Sequence, residues 1–204
     1  MNAILTYTLF GYLCGSILFA RVAAALFHRD KEYLESEDGN PGTANAFRYG
    51  GFSCGMLTLC GDLLKGFLPV FLFMQEYGET LLFMPSALVL AAPVMGHAFP
   101  LFHHFRGGKG IAVTFGCLLG LFPFWRPFVI LAAFFLLFSL IVIITPDFHR
   151  TLVTFLCSAV VMFLRFGTCG VSIGFLCMTF IVCLRLHLSK EKRTRMKVAF
   201  GHSR

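Results

Sequence analysis

Charge is the scarcest property of this sequence. Asp, Glu, Lys and Arg make up 13% of the 204 residues, apolar residues make up 57%, and the mean hydropathy is +0.79. A soluble fold carries roughly a quarter of its residues as charges, so a soluble globular domain is excluded. A disordered chain is excluded too, because such chains are poor in aromatics and Phe alone occurs 26 times. The eight cysteines form no Cys-x-x-Cys pair, and most sit in apolar stretches (Cys14, Cys60, Cys117, Cys157, Cys177, Cys183). There a thiol is a small, lipid-compatible group, so neither a disulfide framework nor a zinc site is expected, and no metal or other cofactor is assigned. The start, Met1-Asn2-Ala3-Ile4-Leu5, lacks the basic region of a signal peptide. The first apolar segment is therefore expected to be retained. No repeat and no linker divides the chain, and a single domain over residues 1–204 is expected.

The apolar residues gather into seven runs, near Ala3–Phe27, Phe52–Met74, Leu81–Pro100, Ile111–Pro123, Phe128–Thr145, Leu152–Leu164 and Cys169–Leu188. A spanning helix needs about 20 mostly apolar residues. The expected fold is an all-α, polytopic integral membrane bundle of about seven transmembrane helices. Pro85 and Pro93 interrupt the third run, and the fourth and sixth are short. Lys and Arg in the connections set the orientation. With the N-terminus outside, Arg29, Lys31, Arg48, Arg106, Lys109, Arg150 and the six basic residues of the tail fall inside. Only Arg126 and Arg165 then fall outside, while Arg21, Lys65 and Arg185 lie within spans. A multi-pass protein with its C-terminus in the cytoplasm is expected. The basic tail, about 189–204, suits an anionic inner leaflet and serves equally as a topology anchor. The net charge of +7 thus sits largely at span ends. Membrane lipids are expected partners; nucleic acid and an obligate protein partner are not.

Three segments break the apolar pattern. The first, Glu37-Asp38-Gly39-Asn40-Pro41-Gly42-Thr43-Ala44-Asn45-Ala46-Phe47-Arg48, has glycines that let a backbone approach an anion. Thr43, Asn45 and Arg48 add donors, and Arg matches phosphate in a forked geometry. An ordinary polar loop between spans would look the same. The second is His97-Ala98-Phe99-Pro100 followed by Arg106-Gly107-Gly108-Lys109-Gly110. Three glycines around one lysine before an apolar run suit an anion cradle at a helix start. A tight turn with a basic anchor is the other reading, and His97 by itself could be structural. The spacing is not that of a Walker A loop. The third is Gly61-Asp62-Leu63-Leu64-Lys65-Gly66. Asp62 and Lys65 share a helix face and can pair, either as a brace between helices or as part of a site. Both glycine-rich loops fall on the predicted cytoplasmic side, and the apolar helices beside them could hold an acyl chain. That combination points to phospholipid chemistry.

Gly15-Ser16-Ile17-Leu18-Phe19, Gly39-Asn40-Pro41-Gly42-Thr43-Ala44-Asn45, Asp62-Leu63-Leu64-Lys65-Gly66, Gly96-His97-Ala98-Phe99-Pro100 and Arg106-Gly107-Gly108-Lys109-Gly110 occur in this order over roughly residues 11–116. The series resembles the bacterial acyl-phosphate-dependent glycerol-3-phosphate acyltransferases (PlsY type). The resemblance implies a seven-helix inner-membrane enzyme of phospholipid biosynthesis. It would move a fatty acyl group from acyl phosphate to a hydroxyl of glycerol 3-phosphate, giving lysophosphatidic acid without acyl-CoA or metal. With the residue reading, it assigns catalysis to Lys109 and Arg48. It assigns phosphate binding to Gly39, Asn40, Gly42, Thr43, Asn45, Gly107, Gly108, Gly110 and His97, and support to Ser16, Asp62 and Lys65.

Three departures from that family stand in the sequence. Asp38 takes the place of a phosphate-site serine. The serine-bearing motif of the third cytoplasmic loop is not recognisable around Thr145–Thr151. The C-terminal His-Arg-x-Asn segment is missing. A divergent acyltransferase, a paralogue with another phosphorylated substrate and a catalytically impaired relative are all consistent with them. An acyl phosphate is already activated, so a protein using it needs mainly to position two anions rather than supply a nucleophile. This suits a chain without a Ser/His/Asp constellation or a His-x-x-x-x-Asp pair. The rival reading is a transporter of phosphate-bearing anions, with the basic loops as gates and Asp62 and Lys65 lining the path. That reading asks for inverted repeats, and the sequence has none in view.

Overall fold

A computed structural model of the chain describes residues 2–29, 40–78, 84–189 and 194–200. Gly39, with Glu37 and Asp38 before it, lies outside the described residues. So do Lys31, Lys190, Lys192, Arg193 and Arg204.

The chain folds as a bundle of apolar helices. α1 (Asn2–Gly15) and α2 (Phe19–Leu26) meet at a short break, and together they form an apolar stretch, Ala3–Leu26, long enough to cross a membrane. α3 (Thr43–Tyr77) has 35 residues. At 1.5 Å per residue it is about 50 Å long, well beyond the ~30 Å hydrocarbon core. Gly51, at φ 81°, kinks it; this left-handed backbone is open to glycine without a Cβ penalty. The span expected to begin at Phe52 begins directly after the kink. α4 (Ser86–Ala98) tolerates Pro93 within it, and a 3-10 turn follows at Leu101–His103. α5 (Ile111–Gly120), α6 (Arg126–Leu136), α7 (Asp147–Phe166) and α8 (Gly170–Leu188) complete the helices described.

Each of the seven expected apolar runs overlaps a helix among the described residues. Among the described residues, five helical stretches are long and apolar enough to cross a membrane, whereas Ile111–Gly120 and Arg126–Ile141 are shorter. Two expected boundaries are corrected. The fifth run does not stay helical to Thr145. α6 passes into a π-helical turn at Leu137–Ile141 and then a strand, β1 (Val142–Thr145). The cause is local, since a β-branched run favours extended backbone and Pro146 pushes the residue before it out of the helical region. The sixth run begins earlier than Leu152, because Asp147 and the polar residues after it already form the first turn of α7. Within the tail, Lys197–Phe200 forms β2, which pairs antiparallel with β1 from Val142↔Phe200 to Thr145↔Lys197. This small sheet is an addition to an otherwise helical fold.

Apolar helices in lipid gain little from burying more apolar surface against each other, so close packing has to hold them. Glycines supply it. A methyl group at Gly116 of α5 would overlap the Leu63 carbonyl of α3, and one at Gly66 of α3 would overlap the Val113 carbonyl of α5. A methyl at Gly96 of α4 would overlap the Tyr12 carbonyl of α1. Behind these contacts lies a core that includes Val94, Leu118, Phe155, Phe175 and Met178, with Phe155 and Phe175 stacked at 5.9 Å. Gly116→Ala is expected to force α3 and α5 apart at a cost of about 1–3 kcal/mol. Thermal unfolding of the detergent-solubilised protein measures it, and an unchanged midpoint would show that the two helices do not meet there.

Candidate active site

The first glycine-rich segment leads into α3. Gly42 N donates to Asn40 O at 2.8 Å, and the Asn45 side chain donates back to Asn40 O at 3.0 Å. Gly42 is the extended N-cap residue, and the first amides of a helix lack intrahelical acceptors. Asn40, Gly42, Thr43 and Asn45 are therefore gathered at the positive end of the α3 dipole.

The second glycine-rich segment is tied down on three sides. Gly107 N donates to Ala98 O (3.2 Å) and Gly108 N to His97 O (3.1 Å), lacing the loop to the end of α4. Arg185 of α8 donates to the Gly107 carbonyl. A Cβ at Gly107 would strike the His97 carbonyl, and one at Gly108 would strike the His97 ring. Gly110, at φ 82°, then starts α5, where Thr114 Oγ1 donates to Gly110 O at 2.9 Å. Lys109 sits between these fixed points.

Between the two loops lies a buried ionic cluster. Lys65 Nζ meets Asp62 Oδ1 at 2.8 Å, with both side chains 2% exposed. The same ammonium donates to Ile17 O (2.6 Å) and to His97 Nδ1 (2.8 Å). Thr43 Oγ1 reaches Asp62 Oδ2 at 3.5 Å. His97 is thereby held from one side by Lys65, and its ring packs against Gly108. Ser16 acts nearby, donating to Tyr12 O (2.9 Å) and accepting from Leu101 N (3.2 Å), which fixes the chain after Pro100.

These parts enclose a cavity of about 630 Å³. Its polar lining includes Asn40, Thr43, Asn45, Asp62, His97 and Lys109. Its apolar lining includes Phe47, Phe115, Leu119, Phe128 and Phe135, and Phe115 packs on Phe128 (5.7 Å) and Phe135 (5.5 Å). Gly42 and Gly110 line the cavity, whereas Gly107 and Gly108 are buried behind Lys109. Arg48 is not brought to it. Its side chain is exposed one position beyond Phe47, which does line it. The structure adds three residues that the sequence reading passed over: Asp147, Arg150 and Thr151, from the start of α7. Asp147 Oδ1 and Arg150 NH2 pair at 2.9 Å. The available signal is a helix start, Pro146-Asp147 followed three residues on by Arg150, whereas in the sequence alone Arg150 reads as an orientation charge. Cationic groups and helix starts that share a cavity with aromatic side chains suit a ligand with an anionic head and a hydrocarbon tail.

Asp62→Ala would strand the Lys65 ammonium in the bundle and is expected to cost about 3–5 kcal/mol. The paired change Asp62→Ala with Lys65→Met should cost less than the single one. Equal melting midpoints for Asp62→Ala and the parent protein would refute a stabilising pair.

A family model described as Glycerol-3-phosphate acyltransferase matches residues 5–196. A glycerol-3-phosphate acyltransferase of Pseudomonas aeruginosa is 44% identical over 122 residues, covering 60% of this chain and 61% of that protein. This chain thus spans about three fifths of the length of that relative. One of Cupriavidus necator is 38% identical over 159 residues, covering 71% and 76%. Two crystal structures of PlsY (YgiH), an integral membrane glycerol 3-phosphate acyltransferase, share the fold. Its lysophosphatidic acid form superposes with a TM-score of 0.72 at 25% identity, covering 89% of this chain and 87% of that one. Its glycerol 3-phosphate form superposes with a TM-score of 0.74 at 24% identity, covering 91% and 88%.

Proposed function

The chain belongs to the glycerol-3-phosphate acyltransferase family, and from that premise we propose that it transfers a fatty acyl group from acyl phosphate to a hydroxyl of glycerol 3-phosphate. The observation that carries this is one cavity lined both by Lys109 with the first turn of α3 and by a cluster of phenylalanines. The polar lining takes phosphate groups and the phenylalanines take the acyl chain.

In this reading the glycerol hydroxyl attacks the acyl carbonyl carbon. The bond from that carbon to the phosphate oxygen breaks, and inorganic phosphate leaves. The hydroxyl proton passes to a phosphate oxygen, so that no side chain has to act as base. Lys109 steadies the charge that develops on the leaving phosphate, a contribution that grows in the transition state and therefore speeds the reaction. The amides of Thr43 and Asn45 and the side chains of Asn40 and Thr43 orient the anions, and Gly42, without a side chain, lets the backbone come close to them. Gly39 belongs to the same turn by its place in the sequence. Gly107, Gly108 and Gly110 set the path of the Lys109 loop. His97 supports that loop from beneath while one ring edge lines the cavity. Arg48, exposed at the start of α3, captures the phosphate of the incoming acceptor with its long side chain. Ser16, Asp62 and Lys65 brace the helices.

The protein is an integral membrane helix bundle, and we place residues 1–204 in one domain of the bacterial inner membrane. The Lys and Arg bias supports an N-terminus outside, with the polar lining of the cavity and the C-terminus on the cytoplasmic side.

Purified protein given palmitoyl phosphate and glycerol 3-phosphate is expected to form lysophosphatidic acid, read by mass spectrometry. Lys109→Ala should lower kcat by about a hundredfold or more. Arg48→Ala should raise KM for glycerol 3-phosphate by about tenfold. Unchanged kcat in Lys109→Ala, or an unchanged KM for glycerol 3-phosphate in Arg48→Ala, removes that residue from the mechanism. Uptake of phosphate esters into vesicles without an acylated product would assign the protein to transport instead.

A further inference from the structure

We propose that Arg150 is a phosphate-binding residue of this cavity, supplied by the start of α7. The inference deepens the acyl-transfer reading and rests on it for the identity of the ligands. Its grounds lie in the geometry of one side chain. Arg150 lines the same cavity as Lys109 and the Asn40–Asn45 turn, although about a hundred positions of chain separate it from that turn. Its side chain is 26% exposed. Asp147, one helical turn back, takes one terminal nitrogen at 2.9 Å, while Nε is buried with no acceptor among the described residues. A buried donor left without an acceptor is costly. Phosphate oxygens are the acceptors that a guanidinium fits best, and the planar fork holds two of them at once.

The charge balance points the same way. Among the described lining residues, Lys109 and Arg150 are the Lys and Arg side chains facing the cavity. The charge of Asp62 is matched from behind by Lys65, and Asp147, which lines the cavity beside Arg150, is 62% exposed, so solvent screens its pull on the guanidinium. The reaction brings two phosphate groups into this space, and one ammonium cannot balance both. The segment that carries Arg150 is also held in place. β1 ends at Thr145, where its ladder with β2 pairs Thr145 with Lys197. His149 Nε2 stands 3.1 Å from Thr194 O, and Thr151 Oγ1 donates to Asp147 O at 2.9 Å. The Asp147 contact and the partial burial of the side chain narrow the orientations open to the guanidinium before a ligand binds.

The test uses the full chain in detergent and reads binding apart from turnover. Glycerol 3-phosphate and an unreactive acyl phosphonate are titrated separately, and the rise in melting midpoint gives an affinity for each. Arg150→Gln, which keeps the stem and loses the charge, is expected to bind one of the two probes about ten- to a hundredfold more weakly. The probe affected identifies which phosphate Arg150 holds. Arg150→Lys, which keeps the charge and loses the fork, is expected to fall between Gln and the parent protein. If Arg150→Gln melts lower without ligand, Arg150→Lys decides: restored melting with still-weakened binding supports the assignment. Parent-like affinity for both probes in the two variants overturns it, and leaves the acyl-transfer reading standing if Lys109→Ala is inactive. Loss of binding in Arg150→Gln, in a parent protein that forms no lysophosphatidic acid, supports the phosphate site and refutes the acyl transfer.

Discussion

The structure depends on a carboxylate and an ammonium buried together in the middle of an apolar bundle. Asp62 and Lys65 are each 2% exposed at the side chain, where a lone charge would cost several kcal/mol. The cost is offset only if every group around them is placed to share it. Lys65 reaches the Ile17 carbonyl at the break between α1 and α2, Asp62 beside it on α3, and His97 at the end of α4. Asp62 reaches Thr43 in the first turn of α3. Three separate stretches of chain must therefore meet at one point. Once they do, the turn that opens α3 and the loop that opens α5 face each other across His97.

Close helix packing makes that meeting sterically possible. The glycines at 66, 96 and 116 remove the side chains that would keep backbones apart, while phenylalanines line the cavity. A bundle of bulky apolar helices would have had neither the close approach nor the hollow. The same geometry explains why the Gly107–Gly110 loop can be rigid although it is rich in glycine. Two backbone bonds to α4, the Arg185 contact and the His97 ring leave it little room to move. A preorganised cation loses less freedom on binding an anion than one on a free loop.

Much of this was legible before any coordinates. The apolar runs announced the helices, since about 20 residues without charge have few other uses. The spacing of Asp62 and Lys65 announced a pair, because residues three apart lie on one helix face. Gly42 through Asn45 and Gly107 through Gly110 could be read as anion-binding turns, since backbone amides and adjacent cations are local features of sequence. Arg48 shows where such reading stops. Its place beside the first turn was plain, but its exposure and its absence from the cavity surface depend on which way α3 faces its neighbours. The end of the fifth run reads as helix because a β-branched stretch is apolar in a helix and in a strand alike; Pro146 tips it towards extended backbone, and pairing with Lys197–Phe200 completes the strand.

Local chemistry is what the sequence determined by itself: the membrane class, the helix-forming runs, the two amide-rich turns, the lysine between glycines and the charged pair one turn apart. Each follows from residues within a few positions of one another. Tertiary structure alone decided which of them share a space. The start of α7 joins the same cavity as the Asn40–Asn45 turn, about a hundred positions earlier in the chain, so that Arg150 and Asp147 line one space with Lys109. No periodicity spans that distance, because such an approach is set by helix packing and by the burial of a charge pair lying far from it in sequence.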